Sequence, residues 1–468
     1  MRRKTCLLSV SLGLLLIPVF TASPREYTLA RLLNSLEINS CRISRLRAEG
    51  EKSRINLRAA KARRLPDVDF SASFSYLANP MDPITVTAGE FGTAEVPGQG
   101  EVLLPPEDMT VFPGMESTYY SFDLTVSQPV FTWGKIPNSI ELYRQAGEAS
   151  ELQVRNALIE LSGELSGYLY TLYFMNKLEK ILDSQNEIGS RMVRIARESF
   201  KNGFIVKADL LDAEIKAKEV EIEQRRLETE KGQIITRIRS LTGIADLTFR
   251  DLSFSFVDES LPDKELPAPE SLIGKAQSGN PGLKLLEKFK QIDLLKLEIA
   301  KGTGYLKPDL GLQLDLGYTG PRMPLVETDW FRKNDYGLTV SLGVTTKVYD
   351  GGKLASEIAL SRQDTEITEI RYREAVAEIS RNIRTLLLSM DLSRTNMEYQ
   401  LLKKEAVDAQ AELEKKRFQA GAGSETDFLS LQLEGLGHQA AYYTEKISFY
   451  KNYVTLGVLT GENFPFSL

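Results

Sequence analysis

The sequence is poor in the residues that build most catalytic and metal centres. It contains two cysteines, one histidine and two tryptophans among 468 residues. A single histidine, His438, cannot found a histidine-based metal site, and neither a Cys-x-x-Cys pair nor a Gly-x-Ser-x-Gly elbow occurs. The many carboxylates are scattered beside lysine and arginine, which is typical of solvated helix faces. These absences predict a protein that is not an enzyme and that uses no metal or cofactor.

An excess of basic charge and long apolar runs are also missing from most of the chain. The 58 basic and 64 acidic residues argue against a nucleic-acid binder. No segment after residue 23 has the roughly 18 continuous apolar residues that a membrane-spanning helix needs. The start is different, because basic residues at 2–4 precede an apolar run over 6–20. We therefore expect a secretory signal at 1–23, whose removal leaves Cys41 without a partner for an intrachain disulfide.

What the chain does contain is a repeat at constant spacing. Gly134-Lys135 recurs as Gly352-Lys353, and Leu241-Thr242-Gly243 recurs as Leu459-Thr460-Gly461, in both cases 218 positions later (352 − 134 and 459 − 241). The same spacing relates three single residues to their counterparts: Phe200 to Phe418, Gly203 to Gly421 and Asp209 to Asp427. More than a hundred residues have diverged without a net change of length. This favours long helices held in register with their neighbours.

The residues between these motifs have a helical pattern. Apolar residues recur at three- and four-residue steps over about 136–200, and the second copy repeats the spacing. This predicts amphipathic helices with coiled-coil-like packing. At about 1.5 Å per residue, some 65 residues would extend on the order of 100 Å, too long for a compact core. Gly203 and Gly421 are predicted to end these helices, and a second helix follows each turn, to about Ser240 and Val458.

Four shorter segments alternate apolar with small or polar residues. They lie near 66–77, 119–131, 308–318 and 336–349. Segments of about ten residues with one apolar face are typical of transmembrane barrel strands. The first and third segments are 242 residues apart (Tyr76 to Tyr318), 24 more than the general spacing (242 − 218). The extra length falls in the Pro- and Gly-rich stretch 78–118, which we expect to be an extracellular loop.

Four strands per chain constrain the assembly. An open sheet edge is not tolerated in lipid, and closure needs roughly eight strands or more. Chains must therefore pool their strands, so that two chains would give eight strands and three would give twelve. The strands predict an oligomer and leave the number of subunits open.

The order of these features, present twice, resembles the TolC-type outer-membrane efflux family. The motifs that carry the resemblance are Val130–Lys135 with Val348–Lys353, and Phe200–Leu211 with Phe418–Leu429. It covers essentially the whole mature chain. The resemblance implies a mostly α protein with a small transmembrane β-barrel part. Three chains would share one twelve-stranded β-barrel, continued by a periplasmic α-helical barrel that tapers to a closed end.

The expected domain organisation is two tandem repeats of strand-strand-long helix-helix. After the signal at 1–23, the first repeat covers 24–243, with helices to 243. A linker or equatorial segment covers 244–280, and the second repeat covers 281–468, with helices to 461.

The resemblance places the closed end at the turns between the helices. The candidate gate residues are Gly203, Lys207, Asp209, Gly421, Glu425 and Asp427. Rings of acidic residues near a pore axis favour cations. The alternative is helix capping, because Ser424 with Asp427 three residues later forms a capping-box pattern. The first copy has Val206 at the cap position, so Asp209 is expected to do less capping. Gly423 stands where better-known members carry a basic gating residue, which puts an ionic latch in question.

A second set of candidates lies between strand and helix. Gly134, Lys135, Gly352 and Lys353 lack the upstream glycine of a phosphate-binding loop, and Ile136 or Leu354 follows the lysine. They are predicted to be strand-to-helix turns.

The predicted function is a passive exit duct across the outer membrane and periplasm, in a tripartite efflux pump or a type I secretion system. The partners implied are two further copies of the chain, outer-membrane lipid, a periplasmic adaptor protein and an inner-membrane RND, ABC or MFS transporter; no nucleic acid is expected. The alternative is a structural or adhesive envelope protein with coiled coils and no channel. The sequence does not identify the exported substrate.

Overall fold

A computed structural model describes residues 26–462 of the chain. The predicted signal segment lies outside the described residues. The chain divides into two compact units. The helical unit comprises residues up to Leu46, Gln153–Gly282 and from Ala375 on, and the sheet unit comprises Arg47–Leu152 and Leu283–Glu374.

Eight α-helices and eight strands follow one another in the described chain. The helices are α1 Leu29–Asn39, α2 Cys41–Ala62, α3 Lys135–Lys201, α4 Lys207–Thr242, α5 Pro269–Gly279, α6 Pro281–Gly302, α7 Lys353–Gln419 and α8 Glu425–Thr460. The strands are β1 Asp67–Tyr76, β2 Ile84–Val86, β3 Thr93–Val96, β4 Gly100–Leu103, β5 Met109–Phe112, β6 Thr118–Phe131, β7 Asp309–Gly320 and β8 Tyr336–Thr345. Two 3₁₀ turns, Phe249–Asp251 and Leu261–Asp263, lie between α4 and α5.

The long elements of the two halves have equal lengths. Helices α3 and α7 each contain 67 residues, and α4 and α8 each contain 36. They start 218 positions apart (353 − 135 and 425 − 207). Helix α5 follows α1 at a different spacing, 240 (269 − 29), and α6 follows α2 at the same 240 (281 − 41). These shorter helices precede the strands in each half and were not part of the sequence prediction.

The sheet unit holds a four-stranded antiparallel sheet in the order β1-β6-β7-β8. Pairing Phe70 with Leu124, and Leu124 with Leu316, places the apolar residues of neighbouring strands on one face. Phe74 contacts Tyr120 on this face, with ring centroids 5.2 Å apart. The other face is polar, and none of the four strands contains lysine or arginine. The sheet is open, because β1 and β8 each pair on one side only.

The stretch predicted as a loop over 78–118 contains secondary structure of its own. Strands β2 and β5 form one short ladder, and β3 and β4 form another. These strands have three or four residues. They are too short for a period of two to be recognised in the sequence, which is why the prediction missed them.

The largely aliphatic core of the helical unit contains a cluster of aromatic rings. The ring of Tyr450 lies 4.7 Å from Tyr170 and 4.9 Å from Phe174 (centroids), and Tyr170 also meets Phe256 at 5.2 Å. Tyr450, Phe174 and Phe449 are fully buried. Because Phe256 belongs to the segment between α4 and α5, this core fixes that segment against α3 and α8.

Polar contacts also hold the segment between α4 and α5 in place. The Tyr450 hydroxyl donates to the backbone carbonyl of Asp258, and the Tyr173 hydroxyl donates to the Glu259 carboxylate. That hydrogen bond from Tyr173 holds the pKa of Glu259 below its usual value. The buried Lys446 ammonium lies 3.8 Å from the same carboxylate. The Glu259 carboxylate thus has both a hydrogen-bond donor and a cation as partners. These contacts hold the segment between α4 and α5 in one position.

Candidate functional sites at the paired turns

The first tip turn joins α3 to α4 through Gly203. Its φ is +75°, in the left-handed region, and its N–H donates to the carbonyl of Phe200 at 3.0 Å. Phe204 N–H donates back to Ser199 O at 2.9 Å. A Cβ at Gly203 would meet nothing within 4 Å, so the backbone angle rather than space requires glycine.

The second tip turn has the same backbone path. Gly421 also has φ +75°, and its N–H donates to Phe418 O at 2.9 Å. Ala422 N–H donates to Arg417 O at 2.9 Å, the bond that corresponds to Phe204 with Ser199. Both predicted helix-ending glycines therefore stand at left-handed turn positions.

The two helix starts after these turns are capped differently. At α4 the cap residue is Val206, whose side chain has no acceptor, and its backbone N–H donates to Asp209 Oδ2 at 3.2 Å. At α8 the cap residue is Ser424, whose Oγ accepts from Thr426 N–H at 3.2 Å. This reverses the expected division, since Asp209 and not Asp427 performs the reciprocal half of a capping box. The Ser424 bond satisfies the Thr426 N–H, and Asp427 does not accept the Ser424 N–H in the way that Asp209 accepts the Val206 N–H.

The acidic candidates consequently differ in availability. In the described chain, the Asp427 carboxylate is exposed and makes no hydrogen bond or ion pair. Glu425 forms an ion pair with Arg191 of α3. Lys207, the first residue of α4, is exposed and has no acidic partner within 4 Å in residues 26–462.

Gly423 has a steric role. A Cβ added there would lie 2.9 Å from Arg417 Cβ and 3.0 Å from Phe418 N, so the loop packs directly on the end of α7. A larger residue at 423 requires the backbone to shift. Arg417 instead brings a guanidinium to the same region, where it pairs with Glu414 at 2.7 Å. A concavity of about 740 Å³ beside Gly423 is lined by Arg417 and Asp427 among others.

The strand-to-helix turns also occur in two versions. The first turn has Trp133 at φ +51° followed by Gly134 at +81°, and the second has Gly351 at +71° followed by Gly352 at +89°. Trp133 therefore holds a backbone position that is glycine in the other copy (351 − 133 = 218). A bulky residue with positive φ is strained. Its indole N–H donates to Pro308 O at 2.9 Å, which stabilises it there.

The charged residues of these turns bind different partners. Lys135 forms an ion pair with Asp309 at the start of β7. In the second turn, Asp350 accepts from the backbone N–H groups of Gly352 and Leu354, each at 3.1 Å, and from the Tyr305 hydroxyl. Lys353, which corresponds to Lys135, is exposed.

The structure also shows surfaces that the sequence prediction did not name. Within the helical unit, α3 contacts α4 (Arg197 to Glu214, 2.8 Å) and α7 contacts α8 (Asn396 to Glu445, 3.2 Å). Helices α4 and α7 each keep a row of large apolar side chains exposed. On α4 these are Leu211, Ile215 and Ile222, and on α7 they are Leu388, Leu392, Tyr399, Leu402 and Leu413. The steps are four and seven on α4 and four, seven, three and eleven on α7. This spacing is that of a coiled-coil seam, and it can be recognised in the sequence once the buried face is known.

The described residues contain no group of His, Cys, Asp and Glu side chains arranged to hold a metal ion. None of the described helices is long and apolar enough to cross a membrane. His438, the one histidine, packs between α8 and α7, where its Nδ1 lies 2.8 Å from Gln400 Oε1.

Comparison with known proteins gives one family. The model of a family described as outer membrane efflux protein matches residues 32–244 and 303–462. The multidrug resistance outer membrane protein MdtQ of Escherichia coli O157:H7 is 21% identical over 313 residues, which are 65% of this chain and 62% of that protein. MdtQ of Escherichia coli O6:H1 is 21% identical over 311 residues, with the same shares. The match thus spans 62% of the length of these curated relatives.

Solved structures share the fold. The Campylobacter jejuni CmeC outer membrane channel superposes with a TM-score of 0.73 at 16% identity, covering 92% of this chain and 85% of that one. A membrane protein from Pseudomonas aeruginosa gives 0.72 at 16% identity, covering 93% and 90%. The outer membrane protein VceC of Vibrio cholerae gives 0.70 at 14% identity, covering 93% and 96%.

Proposed function

Because this chain belongs to the outer membrane efflux protein family and acts in the outer membrane, we propose that three copies form a passive exit duct. Each copy would contribute its four strands to one twelve-stranded barrel, continued by a barrel of helices through the periplasm. The two repeats, 24–243 and 281–468, would then form the wall of the duct, joined by the segment 244–280.

The sheet is the observation that carries this proposal. Its apolar face is exposed to an extent unusual for a soluble sheet, with Phe70 at 66% and Leu342 at 66%. Its edge strands β1 and β8 leave their outer backbone groups unpaired. Pairing β8 of one copy with β1 of the next would satisfy these groups and present a continuous apolar surface to lipid.

The exposed seams on α4 and α7 support the same assembly. Contacts order the helices of the helical unit as α4, α3, α8 and α7, since α3 also packs on α8. The two outermost helices carry the seams. A row such as Leu388 at 72% and Leu402 at 66% exposed needs an apolar partner. The α4 seam of a neighbouring copy would supply it and close a ring.

The tip turns are the proposed gate. Three copies would bring three Asp427 carboxylates near the axis, unengaged by capping and able to favour cations. Asp209 would contribute beside its capping bond, and Gly203 and Gly421 would permit the helix ends to move. The ion pair of Glu425 with Arg191 would hold α8 to α3 when the gate is shut, and Lys207 would remain solvated.

The family membership supports a proposal for the partners and the cargo. We assign the duct to a tripartite efflux pump, with a periplasmic adaptor and an inner-membrane RND, ABC or MFS transporter; a type I secretion system is the other setting. The curated relatives are named for multidrug resistance, which favours drugs as cargo.

Conductance of the purified protein in planar lipid bilayers tests the proposal, together with its mass in detergent. A duct gives discrete channels and a trimeric mass. Replacing Asp209 and Asp427 with alanine should raise single-channel conductance, and unchanged conductance would remove the gate assignment. A protein without channels in its trimeric state would be a structural or adhesive envelope protein instead, for which the exposed apolar sheet has no purpose.

A further inference from the structure

One edge of the four-stranded sheet is basic. Strands β1 and β7 begin there, and β6 and β8 end there. We define the basic edge as the four segments at these strand ends: 58–66, 132–135, 301–308 and 346–353. Together they contain nine lysines and arginines and one acidic residue, Asp350, and two more carboxylates, Asp67 and Asp309, begin the adjoining strands. The opposite edge, formed by 77–117 and 321–335, has ten acidic and three basic residues.

Part of this basic charge is not used inside the protein. Lys135 pairs with Asp309 and Lys301 with Glu298. In contrast, Lys61, Arg63 and Arg64 are exposed and have no carboxylate within 4 Å anywhere in residues 26–462. Three neighbouring cations without a carboxylate partner create a local positive potential that attracts anions.

Large apolar side chains are exposed among these cations. Trp133 is 41% exposed, Leu306 is 76% exposed and Tyr349 is 84% exposed. Trp133 and Leu306 have positive φ, +51° and +60°, a costly conformation for residues with a Cβ. Glycine replaces Trp133 in the other copy of the turn, so the fold itself accepts glycine at this position. At Trp133 the strained position combines an internal hydrogen bond to Pro308 with partial exposure of the ring, and at Leu306 it leaves most of the side chain exposed.

We propose that the basic edge binds the phosphate groups of anionic phospholipids at the membrane interface. The inference rests on the proposed function, which places the sheet in the outer membrane. Lysine and arginine next to a membrane-spanning segment attract anionic headgroups, and guanidinium groups match phosphate geometry. Tryptophan and tyrosine lie at the same level of the bilayer, with the ring in the apolar part and the polar atom in water.

The exposed cations and the exposed apolar side chains together favour a phospholipid as the ligand of the basic edge. A nucleic acid or acidic protein would satisfy the cations and would leave Leu306, Val348 and Tyr349 in water. A phospholipid satisfies both, because its phosphate meets Lys61, Arg63 and Arg64 while its acyl chains meet the apolar side chains. The acidic opposite edge would repel the same headgroups, so the lipid contact is confined to one edge.

The two tryptophans of the chain provide a direct test. Trp133 lies on the basic edge and Trp330 lies on the opposite edge. In a Trp330→Phe background, Trp133 becomes the one fluorescent reporter. The full chain in mixed micelles is titrated with phosphatidylglycerol or phosphatidylcholine that carries brominated acyl chains. We expect phosphatidylglycerol to quench Trp133 at about tenfold lower mole fraction.

Matched variants identify the cause. Lys61→Gln/Arg63→Gln/Arg64→Gln should abolish the preference for phosphatidylglycerol. The control Arg155→Gln/Lys180→Gln/Lys216→Gln removes the same charge from exposed helix positions and should keep the preference. Equal quenching by both lipids, or equal loss in both triple variants, would overturn the proposal. Inorganic phosphate that displaces the lipid would reduce the edge to a general anion site and would also overturn it.

A further variant separates lipid binding from folding and from channel activity. Leu306→Gly relieves the positive φ, so its melting temperature should hold or rise while quenching weakens; unchanged quenching contradicts a role in insertion. Conductance is measured on the same samples. Channels without a lipid preference would defeat this inference alone, and a lipid preference without channels would defeat the duct alone.

Discussion

The Gly203 and Gly421 turns follow the same backbone path but cap the next helix in different ways. Each has a glycine at φ +75° and the same pair of backbone hydrogen bonds. In the first turn the cap residue is a valine and Asp209 binds its N–H, whereas in the second a serine performs the capping and Asp427 makes no bond. The geometry of a duplicated turn has thus been kept while its acidic residue has been released in one copy.

The largest effect should come from replacing each of the two aspartates, Asp209 and Asp427, in a separate variant. Asp427→Asn should raise single-channel conductance clearly and weaken the start of α8 only by the lost helix-dipole interaction. Asp209→Asn should change conductance less and weaken the start of α4 by about 0.5–1 kcal/mol, because a charged acceptor is lost. Both acids occupy the third helix position, so the helix-dipole contribution is common to both variants.

Conductance in planar bilayers and hydrogen exchange at the two helix starts measure this difference. The same conductance change in both variants would mean that capping does not decide which acid is free.

Substitution of the two turn glycines tests whether the two tip turns need the same left-handed backbone conformation. Gly203→Ala and Gly421→Ala should each destabilise the tip by about 1–2 kcal/mol, because the left-handed conformation is costly for alanine. Space does not contribute, since a Cβ at either position meets no atom within 4 Å. Asparagine tolerates this conformation, so Gly203→Asn and Gly421→Asn are the matched controls and should lose less. Local hydrogen exchange provides the measurement, and a loss at only one turn would show that the turns are not equivalent.

Exchanging the caps should produce a smaller effect of opposite sign at the two turns. Ser424→Ala should destabilise the start of α8 by about 1 kcal/mol, because it removes the acceptor for Thr426 N–H. Val206→Ser should stabilise the start of α4 by a similar amount, since it adds the missing acceptor. Thermal unfolding followed by circular dichroism, with exchange rates at the two helix starts, is the measurement. A gain from Val206→Ser that disappears in an Asp209→Asn background would indicate a completed capping box.

Sequence periodicity was informative where an element is long. The 67-residue helices and the four-stranded sheet lie where a period of 3.6 or 2 indicated them. Long elements are recognised because many of their apolar residues fit the same period and therefore lie on the same face. Helix α2 was missed, since its basic residues leave no clear apolar stripe.

The capping of Asp209 was predicted wrongly for a different reason. A motif shows which residues are able to cap, and the choice of rotamer decides which one does. The unpaired seams on α4 and α7 needed the structure, because sequence alone does not tell which of two apolar stripes is already covered.

The two strand-to-helix turns also differ in one acidic residue. Asp350 of the second turn corresponds to Thr132 of the first (350 − 218). Asp350 binds the Tyr305 hydroxyl and two backbone N–H groups, and these bonds lower its pKa. A lowered pKa in the folded state adds stability above the ordinary value of 3.8, and this is lost as the pH falls through the folded value. The start of α7 should therefore loosen in acid below about pH 4, and the start of α3, which has threonine at the corresponding position and only the Lys135–Asp309 ion pair beside it, should loosen less. Hydrogen exchange at both helix starts as a function of pH measures this, with Asp350→Asn as the variant that should lose the pH dependence. If the start of α3 loosens as much over the same range, the acid effect belongs to the whole sheet unit and not to this carboxylate.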